Sequence, residues 1–383
     1  MKKSIWKIPL SDIDITSAEE KATVKVLRSK WLSMGEVTQA FEEKFKKAHQ
    51  AEHSIAVSNC STALHLANLA IGVQKGDEVI VPSFTFVATA NAAIHCGAKI
   101  VFADIVSDNN LTISVEDIEK KISRKTKAII VVHYAGYPCD MGNIMKLAKK
   151  HNLYVIEDCA HSPLTKYKGK YLGTYGDASC FSFFANKNMT TAEGGMILAK
   201  NKNIAKKIKS LRSHGMTSLT LDRHKGHSYT YDVVDLGFNF RIDEIRSALG
   251  IEQLKKLPLL NRKRRRTVKI YRKRLENIKE ISMPFEGFSL EESSCHIFPV
   301  LTANRQTRDG LQKYLKEKGI QTSIHYPPIH KFTYFKNKHK NEQLPITEDV
   351  SSRLITLPLF PSLKEIQIKN IAEKIKCYFK GRQ

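Results

Sequence analysis

Short runs rich in β-branched residues alternate with helical patterns through the first half of the chain, and this alternation constrains the fold more than any other feature. The β-rich runs lie at residues 54–58, 78–81, 99–103, 128–133 and 154–157, with helical patterns between them at 61–71, 86–95, 114–122 and 142–150. Such strands pair in parallel, because each helix carries the chain back across the sheet. Two further β-like runs, at 178–183 and 195–198, follow without a helix between them. The sequence therefore predicts an α/β fold with a mostly parallel, mixed sheet sandwiched by helices.

The pattern changes near residue 240, and this change predicts two domains. Residues 1–240 are expected to form the large domain, which begins with two helices within 17–49. Residues 241–383 are expected to form a smaller α+β domain. Its predicted elements are helices at 243–257, 260–275, 309–318 and 363–378 and strands near 296–301 and 322–325. Segment 217–235 has weak periodicity and is a candidate active-site loop.

Composition limits the class of protein. The chain of 383 residues is 42% apolar, and no apolar run approaches the roughly 18 residues that span a bilayer. Its first residues lack the apolar core and cleavage site of a signal peptide, so we expect a cytoplasmic protein without a membrane partner. The seven cysteines are scattered and form no C-x-x-C pair, so neither a disulfide framework nor a zinc site is expected.

The net charge of +24 has two interpretations. A basic surface binds nucleic acid by releasing counterions from the phosphate backbone, whereas a lysine-rich surface also aids solubility and attracts small anions. The one dense cluster, Lys263–Arg266, falls in a helical pattern, where we expect a solvated face. No zinc-finger spacing or aromatic-basic RNA motif accompanies it. A nucleic-acid-binding regulator is therefore a distant alternative, and no nucleic-acid partner is expected.

The stretch from 155 to 195 carries the clearest chemical signal. Asp158 ends an apolar strand, which places its carboxylate at the carboxyl edge of the sheet, where open α/β folds bind ligands. Lys187 follows the next β-like run in a strand-to-loop setting, available to form an imine. Pyridoxal chemistry needs this pair, because the lysine holds the aldehyde and moves a proton while the carboxylate keeps the pyridine nitrogen protonated. Each residue alone has an ordinary structural explanation, but their joint order favours pyridoxal 5'-phosphate as cofactor.

Two upstream turns suit the rest of such a cofactor. Cys60 and Ser61 lie in a small polar turn between a strand and a helix, where amide groups and the positive end of the helix dipole favour a phosphate. Phe86 lies at the next strand-to-helix turn, in a position to stack on a planar ring. His161 beside Cys159 is the nearest approach to a metal motif, and no metal is expected.

Ordered motifs over nearly the whole chain resemble a known family. They include Trp31-Leu-Ser-Met-Gly35, Gly76-Asp-Glu-Val-Ile-Val-Pro-Ser83, His133-Tyr-Ala-Gly-Tyr-Pro-Cys-Asp140, the Asp158 and Lys187 segments, Gly237-Phe-Asn-Phe-Arg241, Ile324-His-Tyr-Pro327 and Leu357-Pro-Leu-Phe-Pro361. This series resembles the DegT/DnrJ/EryC1/StrS sugar aminotransferases, which are fold-type I pyridoxal-phosphate enzymes. The resemblance implies an aspartate-aminotransferase-like fold. Lys187 is retained where dehydratases of the family carry histidine, which favours transamination.

The resemblance also implies roles for individual residues. Lys187 would carry the cofactor as a Schiff base, and Asp158 would be the second catalytic residue, paired with the ring nitrogen. Asn239 corresponds to an asparagine that reaches the phosphate of the neighbouring subunit's cofactor, which implies a homodimer with shared active sites. His325 and Tyr326 are candidates on the substrate side. The remaining residues implied to contact the cofactor are Cys60, Ser61, Phe86, His161 and Ser182.

The substrate implied by the resemblance is a keto-sugar nucleotide, with L-glutamate as the amino donor. The Asp158 and Lys187 segments look most similar to the branch that aminates C4 of UDP-4-keto sugars, of the 4-amino-4-deoxy-arabinose type. Such a reaction would serve surface polysaccharide or modified-sugar biosynthesis. Enzymes that act at C3 of dTDP- or GDP-linked sugars share most of the scaffold and are an alternative, as are glutamine-dependent cyclitol aminotransferases.

Overall fold

The alternating segments form one seven-stranded sheet. The computed structural model describes residues 6–218, 226, 229–339 and 342–381. The strands in chain order are β1 (His53–Val57), β2 (Glu78–Pro82), β3 (Lys99–Ala103), β4 (Thr126–Val132), β5 (Tyr154–Asp158), a separate hairpin of β6 (Lys166–Tyr167) and β7 (Lys170–Tyr171), β8 (Ala178–Ser182) and β9 (Gly195–Ala199). The sheet order is β1-β9-β8-β5-β4-β2-β3. Strand β9 runs antiparallel to both neighbours and the other pairs are parallel, which confirms the predicted mixed sheet.

Helices cover both faces of this sheet. They are α1 (Ser17–Ser29), α2 (Glu36–His49), α3 (Cys60–Ala70), α4 (Ala88–His95), α5 (Val115–Lys121), α6 (Met141–His151), α7 (Lys202–Leu211) and α8 (Glu244–Leu275). Successive strand residues enter opposite cores: Val79 and Val81 pack on one face and Ile80 on the other. Because both faces are buried, these strands are rich in apolar residues on both faces, and this makes them recognisable in the sequence.

A second, three-stranded antiparallel sheet lies beyond residue 280. It consists of β10 (Ile281–Ser282), β11 (Phe298–Thr302) and β12 (Leu354–Leu357), accompanied by α9 (Arg305–Glu317), α10 (Thr333–Lys336), α11 (Pro345–Arg353) and α12 (Glu365–Lys380). The strand predicted at 322–325 is wrong. Ser323 forms an isolated bridge to Thr356, and the chain then turns towards the cavity described below instead of extending the sheet.

Helix α8 connects the two cores, although the sequence predicts two separate helices there. It continues through Pro258 over 32 residues. Leu257 packs in the core beneath the main sheet, whereas Tyr271 packs in the core of the small sheet, together with Ile8 from the start of the chain. The domain boundary at residue 240 stays a prediction, since α8 belongs to both cores. None of the helices in the described ranges combines the length and hydropathy that a bilayer crossing requires.

The basic cluster Lys263–Arg266 does not form the solvated face that the sequence predicts. Arg264 is buried, and its guanidinium donates to the carbonyl oxygens of His296 at 3.0 Å and Leu359 at 3.1 Å. Arg265 is mostly covered, while the other two members of the cluster are exposed. Neighbouring residues on a helix point in different directions, so the cluster is divided between the interior and the solvent. It does not offer the continuous basic stripe that is typical of nucleic-acid binding.

The N-terminus of α2 is capped by a carboxylate from another helix. Glu244, the first residue of α8, is buried and accepts hydrogen bonds from the amides of Gly35, Val37 and Thr38 and from the Thr38 hydroxyl, at 2.6–2.8 Å. Amides at a helix N-terminus have no partner within the helix, and the helix dipole favours a negative charge there. Glu244 therefore fixes α2 against the long helix.

We expect Glu244→Gln to lower the free energy of unfolding by about 2–4 kcal/mol, because an amide accepts with one oxygen and removes the charge from these buried hydrogen bonds. Chemical denaturation measures this loss. Glu276→Gln, at the exposed opposite end of the same helix, is the control and should change the free energy by less than about 0.5 kcal/mol. Equal effects of the two substitutions would contradict the capping role.

Candidate active site

The parallel strands of the main sheet end at one edge, where a cavity of about 500 Å³ opens. Strands β1 and β2 lead into α3 and α4, β5 ends at Asp158, and β8 leads into the irregular segment that carries Lys187. Strands that run in the same direction present their carboxyl ends together, so residues far apart in sequence meet here. The predicted residues that line the cavity are Cys60, Ser61, Phe86, Asp158, His161, Ser182, Lys187, His325 and Tyr326.

The carboxylate of Asp158 is buried and held from two sides. The hydroxyl of Thr89, in the first turn of α4, donates to one oxygen at 2.8 Å, and the amide of Ala160 donates to the other at 3.1 Å. Burial raises the pKa of Asp158, whereas these hydrogen bonds and the nearby Lys187 lower it. A carboxylate fixed in this way is suited to pair with a cationic nitrogen of a ligand.

Lys187 lies between β8 and β9, half-buried in the cavity wall. Burial lowers the pKa of its amine to about 8, while Cys60 and Asp158 act in the opposite direction. Three neighbouring imidazoles also have lowered pKa values, mainly through burial and in part through Lys187; they belong to His161, His296 and His325. The neighbouring rings are therefore neutral at neutral pH, and the lowered pKa of Lys187 makes its nucleophilic, unprotonated amine far more abundant there than that of an ordinary lysine.

The N-terminus of α3 forms another part of the cavity wall. Asn59 caps this helix, accepting from the Thr62 amide at 2.9 Å, and Cys60 and Ser61 are the first two helical residues. Gly195 of β9 packs against the same turn, where a Cβ atom would lie 2.6 Å from the Asn59 backbone. Glycine therefore permits the close approach of β9 to a turn whose amides and dipole attract an anion.

An aromatic ring and a hydroxyl group also belong to the cavity wall. Phe86 is 57% exposed, which is unusual for a phenylalanine on a concave wall and leaves a ring face open to a planar ligand. Ser182, the last residue of β8, contributes its hydroxyl. Both side chains line the cavity, and their contacts with the cofactor stay a prediction.

Residues from the second half of the chain close the cavity from the other side. The hydroxyl of Tyr326 lies 3.0 Å from Nε2 of His161, and the ring of His161 packs against that of His296 with centroids 4.2 Å apart. His325 is bonded through Nδ1 to the Thr356 hydroxyl at 3.1 Å. His325 and Tyr326, the two candidates for substrate contact, thus both line the cavity, and their contact with a substrate stays a prediction.

Asn239 is the one predicted site residue that does not line this cavity. It is exposed, and its backbone forms an isolated bridge with Ser213. The candidate active-site loop 217–235 precedes Asn239. Its residues 219–225, 227 and 228 lie outside the described residues. Large apolar side chains are exposed in the rest of this loop and at residue 236, directly after it. They are Tyr229, Tyr231, Val233, Val234 and Leu236. Exposed apolar side chains clustered on one segment are a feature of surfaces that bind other molecules.

Several lining residues were missed by the sequence analysis. Thr89 had a usable signal, because it stands three residues after Phe86 at a helix start and so shares its face. Three more of them, Phe184, Asn186 and Glu193, lie in the irregular segment between β8 and β9, where no period fixes the direction of a side chain.

Among the described residues, one group could supply three metal ligands: His133, Glu157 and Cys159, whose ligand atoms lie within 4.8 Å of one another. His161, which the sequence places beside Cys159, is not part of it. Glu157 already accepts from His133 at 3.1 Å and from three backbone amides at 2.8–2.9 Å. This network holds β5 in place directly before Asp158.

These groups fit pyridoxal phosphate. The N-terminus of α3 offers amides and a dipole for the phosphate, and Phe86 offers a ring face. The Asp158 carboxylate suits the ring nitrogen and the Lys187 amine suits the aldehyde. A cavity of about 500 Å³ is within the usual size of small-molecule sites. Fold and site together define a fold-type I pyridoxal-phosphate-dependent transferase.

Comparison with known proteins narrows this class. Residues 13–376 match the DegT/DnrJ/EryC1/StrS aminotransferase family, and the chain belongs to that family. It is a pyridoxal-phosphate-dependent sugar aminotransferase. The GDP-perosamine synthase of Escherichia coli O157:H7 is 38% identical over 377 residues, which cover 98% of this chain and 99% of that protein.

Two solved structures are similar over the same extent. Helicobacter pylori PseC, an aminotransferase involved in the biosynthesis of pseudoaminic acid, has a TM-score of 0.90 at 30% identity and covers 98% of this chain and 99% of its own. The putative sugar aminotransferase Spr1654 of Streptococcus pneumoniae, in its PMP form, has a TM-score of 0.91 at 29% identity and covers 98% of this chain and 100% of its own. The predicted fold class and cofactor are thereby confirmed.

Proposed function

We propose that this enzyme transfers the amino group of L-glutamate to C4 of a UDP-linked 4-keto sugar. The observation that carries this proposal is the Lys187 amine and the buried Asp158 carboxylate on the wall of one cavity. The similarity of the segments around these two residues to the C4 branch of the family supports the position of amination. A cavity lined by residues from both halves of the chain gives room for a sugar beside the cofactor.

Pyridoxal phosphate, when bound, supplies an aldehyde for the amino group and a ring that withdraws electrons from the reacting carbon. Lys187 would hold this aldehyde until the donor enters. Its Nζ atom, once free, takes the proton from the α-carbon of the donor, and a pKa of about 8 makes it a competent base near neutral pH. Asp158, held by Thr89 and Ala160, would keep the ring nitrogen protonated. With the keto sugar in the donor's place, Lys187 moves the proton in the reverse direction.

A panel of amino acceptors tests the proposal. We would assay UDP-, GDP- and dTDP-linked 4-keto and 3-keto sugars and a keto-inositol, each with glutamate and with glutamine. The expected result is the highest kcat/KM for glutamate with a UDP-4-keto sugar. Turnover restricted to 3-keto sugars would indicate the C3 alternative, and turnover of keto-inositol with glutamine would indicate a cyclitol aminotransferase; either result would overturn the proposal.

A GDP-linked keto sugar is the second candidate. It is favoured by the name of the Escherichia coli relative, a GDP-perosamine synthase that is 38% identical to this chain. The same panel decides between the two nucleotides, since a preference for GDP would appear as a higher kcat/KM with the sugar unchanged.

We further propose a homodimer in which each subunit completes the other's cavity. Asn239 does not line the cavity of its own chain, and it follows a segment with exposed apolar side chains. An exposed polar residue behind an apolar contact segment is suited to reach into a neighbouring subunit. The family resemblance supports the phosphate of the partner's cofactor as its target.

Mixing inactive subunits tests the shared site. Lys187→Ala and Asn239→Ala chains, denatured and refolded together in equal amounts, should recover about one quarter of wild-type activity, because half of the dimers then hold one intact site. A mixture of Lys187→Ala with Asp158→Asn chains is the control, since both defects lie in the same half of the site and no dimer is intact. Recovery in both mixtures, or in neither, would contradict the arrangement.

A further inference from the structure

The imidazole of His161 has a fixed tautomer. Its Nδ1 atom accepts a hydrogen bond from the backbone amide of Ala135 at 3.2 Å. A backbone N–H can only donate, so Nδ1 carries no proton and the neutral ring has its proton on Nε2. A doubly protonated ring would set two donors against each other at Nδ1. The contact with Ala135 therefore selects the neutral ring protonated at Nε2.

The amide of Ala135 is held in position by the turn around it. Ala135 has a φ of 56°, in the left-handed region that residues other than glycine rarely adopt. Its carbonyl accepts from the amide of His296 at 2.8 Å. A Cβ on Gly136 would lie 2.3 Å from the Ser294 hydroxyl, which donates to the His161 carbonyl at 2.6 Å. The segment around residues 294–296 therefore contacts both the turn at Ala135 and the backbone of His161, which fixes the two relative to each other.

The direction of the next hydrogen bond follows. Nε2 of His161 lies 3.0 Å from the hydroxyl oxygen of Tyr326, so the histidine donates and the phenol accepts. The phenol proton must then point elsewhere. Among the residues that the structure describes, no second group bonds to this hydroxyl, and Tyr326 lines the cavity. The rings of Phe86 and Tyr134, with centroids 6.2 and 6.5 Å away, flank the phenol.

We propose that Tyr326 donates a hydrogen bond to an oxygen of the molecule in the cavity, and that His161 is the positioning residue that keeps the phenol proton directed there. The proposal rests on the proposed function, in which two molecules offer such an oxygen. One is the phenolic oxygen of the cofactor ring, and the other is a carbonyl or hydroxyl oxygen of the keto sugar. Both are acceptor oxygens. The bound molecule must offer an acceptor, because the Tyr326 oxygen already accepts the proton of His161 and the phenol has only its own proton to donate.

Three variants separate this role from a structural one. Tyr326→Phe removes only the hydroxyl, His161→Phe keeps a ring but removes both nitrogens, and His161→Gln retains an amide N–H near the position of Nε2. The first two should each lower ligand affinity or kcat/KM by roughly 5- to 100-fold, the factor that one lost hydrogen bond gives, whereas His161→Gln should stay within about 5-fold of wild type. Tyr334→Phe, at an exposed tyrosine of α10, is the matched control and should behave as wild type.

The double variant His161→Phe/Tyr326→Phe should be no worse than Tyr326→Phe alone, because both changes act through one hydroxyl. Titration of cofactor-free protein with pyridoxal phosphate, followed by absorbance, measures cofactor affinity without any substrate. A loss in this titration identifies the cofactor oxygen as the acceptor. An unchanged titration with a loss confined to the keto-sugar half-reaction identifies the sugar oxygen. A Tyr326→Phe variant equal to wild type in both measurements, or additive losses in the double variant, would overturn the proposal.

The tautomer has a direct readout that does not depend on activity. In holoenzyme labelled with ¹⁵N-histidine, the signals that disappear in His161→Gln should show a proton on Nε2 and a bare Nδ1. A proton on Nδ1 would contradict the proposal even if every variant lost activity. Should the wild type aminate none of the keto sugars, the proposed function fails, yet the cofactor titration and the tautomer still decide the role of His161 and Tyr326.

Discussion

A Lys187→Ala variant should lose amino transfer almost completely, with kcat lower by at least about 10³-fold, within the range that proton transfer by a positioned side chain contributes. The alanine can neither hold the cofactor aldehyde nor carry the proton. Steady-state kinetics with glutamate and a keto-sugar nucleotide measure the loss. Absorbance gives a second measurement, because purified wild type should show a visible cofactor band that glutamate bleaches, and the variant should not respond in this way.

Two controls make the result specific. Lys187→Arg keeps the positive charge, but a guanidinium does not release its proton in a protein, so this variant should be as inactive as the alanine variant. Lys206→Ala removes an exposed lysine of α7 and should behave as wild type. A Lys187→Ala protein with full activity would remove the basis of the proposed mechanism.

Asp158→Asn should lower kcat by roughly 10²- to 10³-fold, the loss typical of removing one preorganised electrostatic partner of the reacting group. The amide has nearly the same shape and can still accept from Thr89, but it has no charge to hold a proton on the ring nitrogen. Kinetics at saturating substrates measure this effect. Asp349→Asn, at an exposed position of α11, is the control that should leave kcat unchanged.

The same substitution should shift a pH profile in a defined direction. Burial lowers the pKa of Lys187 to about 8, and the charge of Asp158 acts against this shift. Without that charge the pKa falls further, so the neutral amine persists to lower pH. The rate at which cofactor-free protein takes up pyridoxal phosphate should therefore have its midpoint near pH 8 in wild type and below that in Asp158→Asn. A midpoint that stays or rises would contradict the electrostatic coupling of the two groups.

The main sheet could be predicted from the sequence because its strands are buried on both faces. Continuous apolar runs such as 79–81 can then be recognised without knowing their neighbours. The site followed from the same regularity: strands that run in one direction end together, so Asp158, Lys187 and the start of α3 had to share an edge. Every predicted site residue except Asn239 lines the one cavity there.

The remaining features depend on contacts between distant segments. Arg264 is buried because carbonyl oxygens near residues 296 and 359 accept its protons, and no local pattern reveals such partners. The strand expected at 322–325 is reduced to the single bridge between Ser323 and Thr356 of β12, because the residues that follow turn to line the cavity. The left-handed turn at Ala135, which directs His161, is likewise imposed by the segment around 294–296.

The long helix α8 has a consequence for how the protein melts. Its first half packs against α2 so closely that a Cβ on Gly250 would lie 2.6 Å from the ring of Phe41, and its second half belongs to the core of the small sheet. A helix that packs in both cores couples their unfolding, because disrupting the packing of one core also removes the support of the helix in the other. The two halves of the chain should therefore unfold as a single cooperative unit, and neither should persist as a stable fragment after proteolysis between them.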